Sequence, residues 1–148
     1  MAEKSLLRYQ ICMFCLTYFS WAAVHAQREF WAMSKTRISS ENELPKTFFG
    51  TLDTTMFCCY AVAQFFTGSI GDIFKKRKVL TLSFSLQAIL FVIVAVFGKN
   101  EMWWMLVPTF GLIGLIQSVD FPCLVGTLGS WTTRSSRGFV CGVWATCT

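Results

Sequence analysis

Charged side chains are scarce in this 148-residue sequence. Asp, Glu, Lys and Arg together make up 14% of it, against about 25% in a typical soluble domain. Hydrophobic residues account for 54% and aromatic residues for 16%. This composition argues against a water-soluble domain and predicts an integral membrane protein.

Patterns that carry catalysis or bind metals are also lacking. The sequence has one histidine, no Ser/His/Asp arrangement and no phosphate-binding P-loop, and its seven cysteines form no paired CxxC motifs. Most of the cysteines lie in apolar runs, where a thiol behaves as a small apolar group. We therefore predict no enzyme activity, no cofactor, no metal site and no structural disulfide.

A continuous basic patch is missing as well, although the net charge is +5. The lysines and arginines form short clusters at the ends of apolar runs. Such clusters are typical of membrane topology signals and of contacts with lipid headgroups. We expect membrane lipid as a partner and no nucleic acid.

Long uncharged runs dominate what is present. Residues 54–71 and 79–98 carry no charge, and about 20 apolar residues suffice to cross a bilayer as helix. The predicted fold is all-α and membrane-embedded, without a separate soluble domain. Four transmembrane helices and the start of a fifth are predicted, at about 6–33, 49–70, 79–97, 103–129 and 138–148.

A dense basic loop joins the second and third predicted helices. Residues 71–78 include four consecutive basic side chains, Lys75 to Lys78. Short loops rich in lysine and arginine stay on the cytoplasmic side of a membrane. This predicts a cytoplasmic N-terminus.

Small residues recur at helical spacing and predict close approach between helix backbones. The pairs are Gly111-x-x-Gly114, Gly126-x-x-Gly129 and Gly138-x-x-x-Gly142.

One face of the first predicted helix is aromatic in the middle and cationic towards its end. At 100° per residue, an arc of about 100° contains five side chains: Tyr18, Trp21, His25, Arg28 and Lys35. An arginine within a membrane span normally faces a protein interior or a water-filled cavity, and its planar fork suits phosphate oxygens. This face could therefore line a cavity for an anionic substrate. Alternatively, Arg28 reaches the membrane interface and pairs with Glu29 or a headgroup.

Two acidic residues stand out from their surroundings. Asp120 interrupts the fourth predicted helix just before Pro122. A carboxylate at this depth suggests a proton or cation site, a partner for Arg28, or a hydrogen-bonded group at a proline kink. Asp53 is expected to cap the start of the second helix.

The basic loop also carries a motif. Gly68-x-x-Gly71-Asp72-x-x-x-x-Arg77-Lys78 resembles the signature loop of the major facilitator superfamily. Further stretches are similar to the eukaryotic sugar-phosphate exchangers of solute carrier family 37, within the organophosphate:phosphate antiporter branch. They are His25-x-x-Arg28 with Lys35, Asp53-Thr54 with Tyr60-Ala61, Gly114 to Cys123, Gly129-x-Trp131 and Arg137 to Trp144.

The resemblance implies a carrier of twelve helices in two halves, with this chain as the N-terminal part. It implies exchange of a phosphorylated sugar for inorganic phosphate, with an endoplasmic reticulum location. Arg28 occupies the family's phosphate-binding position, and His25, Lys35 and Tyr18 are the further candidate substrate ligands. Five residues are implied in gating: Gly68, Gly71, Asp72, Arg77 and Lys78.

The chain departs from the family pattern at Glu29, where a basic residue is common, and at Asp120-Phe121, where Gly-Trp is common. It also stops inside the predicted fifth helix, so transport is expected to need the missing C-terminal half. Two alternatives remain. A short, non-transporting form could bind and modulate a full-length carrier, or a proton-coupled transporter of the same superfamily could use Asp120 as a cavity acid.

Overall fold

The chain forms long helices. A computed structural model describes residues 2–147, apart from the side chains of residues 2–5, 70–72 and 147. The described part contains α-helices and two short 3₁₀ turns and no strand, which confirms the predicted all-α class. The helices are α1 (Ala2–Glu41), α2 (Lys46–Ile73), α3 (Lys76–Lys99), α4 (Leu106–Gln117), α5 (Asp120–Trp131) and α6 (Arg137–Trp144), with 3₁₀ turns at Trp103–Met105 and Ala145–Cys147.

Two helical stretches within the described residues are long and apolar enough to cross a bilayer. They are Lys76–Lys99, which is α3, and Trp103–Trp131, which includes α4 and α5. The helices α1 and α2 have 40 and 28 residues, or about 60 and 42 Å at 1.5 Å per residue. Both exceed the hydrocarbon thickness of about 30 Å, but they carry more polar residues.

Helix α1 continues beyond the predicted boundary at residue 33. A polar loop was expected at residues 34–47, between the first two predicted helices, yet residues 34–41 contain no glycine or proline and stay helical. The Ser34 hydroxyl donates to the Phe30 carbonyl at 2.8 Å, and Arg37 Nε donates to Glu41 one turn later at 2.7 Å. This hydrogen bond raises the pKa of Arg37. The chain turns only at Glu43, whose φ is 53°.

The start of α2 also differs from the prediction. Pro45 immediately precedes the helix, which begins at Lys46 and places Asp53 two turns inside it. The predicted capping role of Asp53 was therefore wrong.

The structure divides into two compact units. One comprises Met1–Ser34 together with Leu124–Thr148, and the other comprises Lys35–Cys123. The first contains most of α1 together with α6. The second contains α2, α3 and α4.

Close backbone packing holds α2 against α4 within the second unit. A Cβ at Gly114 would lie 2.2 Å from the Met56 carbonyl oxygen, and a Cβ at Gly111 would lie 3.4 Å from Thr55 Cγ2. Only glycine fits at Gly114, because a Cβ there would overlap the facing backbone. The predicted close approach of helix backbones at Gly111 and Gly114 is thus confirmed, with α2 as the facing helix. By contrast, no atom lies within 4 Å of a Cβ built at Gly138 or Gly142 in the described part of the chain.

Candidate functional site

The predicted fourth helix is broken next to Asp120. Helix α4 ends at Gln117 and α5 begins at Asp120. Pro122 has no N–H to donate to the Ser118 carbonyl four residues earlier, which weakens the helix at this point. Thr67 Oγ1 of α2 instead donates to the Ser118 carbonyl at 3.1 Å. A side chain of another helix therefore supplies the hydrogen bond to the Ser118 carbonyl that proline cannot donate.

Asp120 itself is completely buried, with a relative exposure of 0%. Its Oδ1 accepts from the Ser83 hydroxyl at 2.6 Å, and its Oδ2 accepts from Gln87 Nε2 at 2.7 Å. Both donors are neutral and lie one turn apart on α3. A buried carboxyl group is tolerated only when its oxygens are hydrogen-bonded.

The polar contacts extend on both sides of Asp120. Gln117 Nε2 donates to Gln87 Oε1 at 3.4 Å, and the Ser83 hydroxyl also lies 3.3 Å from the Ile116 carbonyl oxygen. We call Ser83, Gln87, Gln117 and Asp120 the polar cluster. All four are buried, and the cluster links α3 to the break between α4 and α5.

Replacing Asp120 tests the role of the polar cluster in stability. Asp120→Leu should lower the free energy of unfolding by about 1–2 kcal/mol, because the Ser83 and Gln87 donors lose their acceptors. Asp120→Asn should cost less, since an amide oxygen still accepts. Denaturant titration of the chain in micelles measures both. Equal losses in the two variants would contradict a hydrogen-bonding role.

The predicted face of α1 brings aromatic rings next to His25. The Trp21 and His25 rings meet edge to face with centroids 4.9 Å apart, and Trp21 stacks on Trp144 of α6 at 5.9 Å. The Nε2 atom of His25 is buried and makes no hydrogen bond within the described residues. Tyr18 stacks on Phe14 at 5.9 Å. His25 Nε2 is thus a buried polar atom of this face whose hydrogen-bonding capacity the described residues leave unused.

Arg28 lies one turn beyond His25 on the same helix and is half-buried. Residues three apart on a helix are neighbours on one face. Both side chains belong to the unit that contains α1 up to Ser34. A role of Arg28 in anion binding stays a prediction.

Lys35 has a different environment from the one expected of a substrate ligand. Its ammonium contacts Asp53 Oδ2 of α2 at 2.5 Å, and both side chains are about three-quarters buried. The carboxylate of Asp53 therefore compensates the positive charge of Lys35 in this structure. Its predicted role in binding substrate requires that this ion pair opens first.

The signature loop is short. Helix α2 ends at Ile73, two residues connect it to α3, and α3 starts at Lys76. Arg77 and Lys78 are exposed, and a Cβ built at Gly68 meets no atom of the described residues within 4 Å. Gly71 lies within α2, and the side chain of Asp72 is outside the described part of the chain. The gating role of all five residues stays a prediction.

The polar cluster is the part of this region that sequence reasoning missed. Only Asp120 was singled out as a site residue. Thr67, Ser83 and Gln87 are polar residues inside otherwise apolar runs, and that is the signal that could have drawn attention to them.

Comparison with known proteins decides the family. The model of the Major Facilitator Superfamily matches residues 11–148, nearly the whole chain. The chain belongs to the Major Facilitator Superfamily. The predicted resemblance is confirmed at this level, and the chain is accordingly a membrane protein and part of a transporter fold.

Relatives within this superfamily are transporters of phosphorylated compounds by name. "Sugar phosphate exchanger 3" of Mus musculus is 34% identical over 97% of this chain and 35% of its own length. The Gallus gallus protein of that name is 31% identical over 94% of this chain and 34% of its own length. "Putative glycerol-3-phosphate transporter 2" of Arabidopsis thaliana is 29% identical over 95% of this chain and 30% of its own length.

The chain spans about one third of the length of these relatives. It is a partial superfamily fold. No solved structure matches it significantly.

Proposed function

We propose that this chain is the N-terminal part of an antiporter that exchanges a phosphorylated sugar for inorganic phosphate. The observation that carries the proposal is the α1 face, where His25 Nε2 is buried and makes no hydrogen bond with the described part of the chain, and where Arg28 follows one turn later. Similarity to proteins named sugar phosphate exchangers supports the same substrate class.

The proposed anion site uses two kinds of contact. The guanidinium of Arg28 would bind two phosphate oxygens at once, as its planar donors allow. His25 would add a hydrogen bond from its ring, and Tyr18 would contribute a phenol. Lys35 would join when its ion pair with Asp53 opens.

Exchange follows from the charge of this site. An empty cationic cavity is costly to carry through the closed states of a carrier, because no anion offsets the buried charge. Binding of either phosphate or a sugar phosphate offsets it and permits reorientation. Two halves must rock around the site for this, so the C-terminal half is a required partner. The loop residues Gly68, Gly71, Asp72, Arg77 and Lys78 would gate the movement at the cytoplasmic side, in the endoplasmic reticulum membrane.

Exchange predicts dependence on phosphate inside the vesicle. Proteoliposomes with the complete carrier should take up labelled phosphate at least about tenfold faster when they are loaded with phosphate or sugar phosphate than when they contain phosphate-free buffer, because the empty carrier does not return. Initial uptake rates measure this. Equal uptake into empty vesicles would show that the carrier is not an obligate exchanger.

The same vesicles distinguish the two alternatives. If the 148-residue chain is a modulator, it alone should give no uptake, should co-purify with a full-length carrier and should change that carrier's rate. If the carrier is proton-coupled, uptake should follow a pH gradient, ignore internal phosphate and fail in Asp120→Asn. The complete burial of Asp120 in the polar cluster is the observation that favours this second alternative.

A further inference from the structure

A groove of about 660 Å³ lies in the unit Lys35–Cys123, between the adjoining ends of α2, α3 and α4. Its volume is within the range of about 300–1,000 Å³ that is typical of small-molecule sites. Most of its wall is hydrocarbon, with Leu82 and Leu86 from α3 and Leu115 from α4. None of the described residues that line the groove belongs to α1.

Two lysines give the groove a charged end. Lys75 and Lys78 both line it and are exposed. On α3, Leu82 and Leu86 follow Lys78 at intervals of four residues and so share its face. From Lys78 to Leu86 this face is about 12 Å long at 1.5 Å per residue. The α3 wall of the groove therefore carries a positive charge at Lys78 and an apolar surface at Leu82 and Leu86.

The apolar walls of the groove are open to the surroundings. Leu82 is 61% exposed, and Ile73 at the charged end is 74% exposed. In a membrane protein such surface faces lipid or another helix. An apolar helix placed here would bring the two lysines into contact with hydrocarbon and leave their charge without compensation, which is costly.

We propose that the groove binds an anionic phospholipid. The phosphate lies between Lys75 and Lys78, and one acyl chain lies along Leu82 and Leu86. An occupant that is anionic at one end and hydrocarbon at the other matches both parts of the groove, and basic pockets between transmembrane helices bind such lipids. No described side chain caps the start of α3, and the positive end of its dipole lies at the same end of the groove as the two lysines. A choline headgroup would place a positive charge near the same lysines.

Native mass spectrometry of the 148-residue chain in micelles tests the proposal. The probes are dioleoylphosphatidylglycerol and dioleoylphosphatidylcholine at equal concentrations. The wild-type chain should retain phosphatidylglycerol preferentially. Lys75→Gln with Lys78→Gln should weaken its binding about 30-fold, since each of the two basic residues contributes about 1 kcal/mol near a lipid surface and each 1.4 kcal/mol is a factor of ten. Lys46→Gln with Lys99→Gln makes the same change in net charge at other helix ends and is the matched control.

A second variant tests the apolar part of the groove. Leu82→Trp should fill the acyl position and weaken binding of phosphatidylglycerol while both lysines remain. Circular dichroism confirms that each variant keeps its helix content, as expected for exposed positions. Inorganic phosphate at millimolar concentration should not displace the lipid.

Three results would overturn the lipid site. The control pair could lose as much binding as the Lys75 and Lys78 pair, which would indicate general charge attraction. Leu82→Trp could bind phosphatidylglycerol like the wild type. Inorganic phosphate could displace the lipid, which would make the groove a site for free phosphate.

Discussion

Arg28→Ala is expected to lower phosphate exchange by the complete carrier about 100-fold or more. Removing one partner of a buried, hydrogen-bonded charge pair costs about 2–5 kcal/mol, and each 1.4 kcal/mol is a factor of ten. Arg28 is half-buried on the α1 face next to His25. Arg28→Lys should recover part of the rate, because the charge remains but the two-pronged contact with phosphate does not. Initial rates of labelled phosphate uptake into proteoliposomes give both values.

A control on the same helix is available for this experiment. Arg37 is an exposed arginine whose Nε contacts Glu41 at 2.7 Å, and the side chain lies beyond the predicted span. Arg37→Ala should leave exchange within about twofold, since exposed ion pairs contribute little. If Arg28→Ala retained normal exchange in correctly folded protein, Arg28 would have no part in binding the anion. An equal loss in Arg37→Ala would point to a general effect of charge.

Gly114→Ala is expected to destabilise the chain more than alanine at any other glycine whose surroundings the structure describes. The added Cβ would lie 2.2 Å from the Met56 carbonyl oxygen and 3.2 Å from the Tyr60 backbone nitrogen. Because the obstacle is backbone within α2, it cannot move aside as a flexible side chain would. The two helices must separate, and the loss of packing should cost about 3 kcal/mol. Unfolding of the 148-residue chain by denaturant in micelles measures the loss.

The matched control for this substitution is Gly50→Ala. Gly50 lies in α2, and no described atom lies within 4 Å of a Cβ built there. Alanine at a helix position without a steric conflict should stabilise the chain by about 0.5–1 kcal/mol, because glycine is the poorer helix former. Opposite signs for the two variants would locate the effect in the contact between α2 and α4. A similar small change in both would mean that the helices do not pack this closely.

The Gly111-x-x-Gly114 pair also shows what could be read from local spacing. Two small residues one turn apart indicated a close helix contact, and the structure supplies the partner, α2. The spacing could not identify this partner, and it predicted similar contacts at Gly138 and Gly142 that the described residues do not make. Small residues permit close packing, but the facing helix decides whether it occurs.

Helix ends were predicted less well than helix positions. Residues 34–41 are polar, and this suggested a loop, but polar side chains that bond within a helix do not end it. The break before Asp120 was suggested only as a possible kink at Pro122. Its form depends on two side chains from other helices. Thr67 of α2 donates to the Ser118 carbonyl, and Ser83 of α3 donates to the Asp120 carboxylate.

Composition, uncharged runs and the basic loop were enough to determine the membrane class, the order of the helices and the superfamily, because these features depend on neighbouring residues along the chain. The tertiary structure decided which polar groups meet. Lys35 pairs with Asp53 across 18 positions, and Asp120 accepts from Gln87 across 33. Such contacts depend on how one helix is aligned with another, and a small axial or rotational shift would remove them without altering the local pattern of either helix.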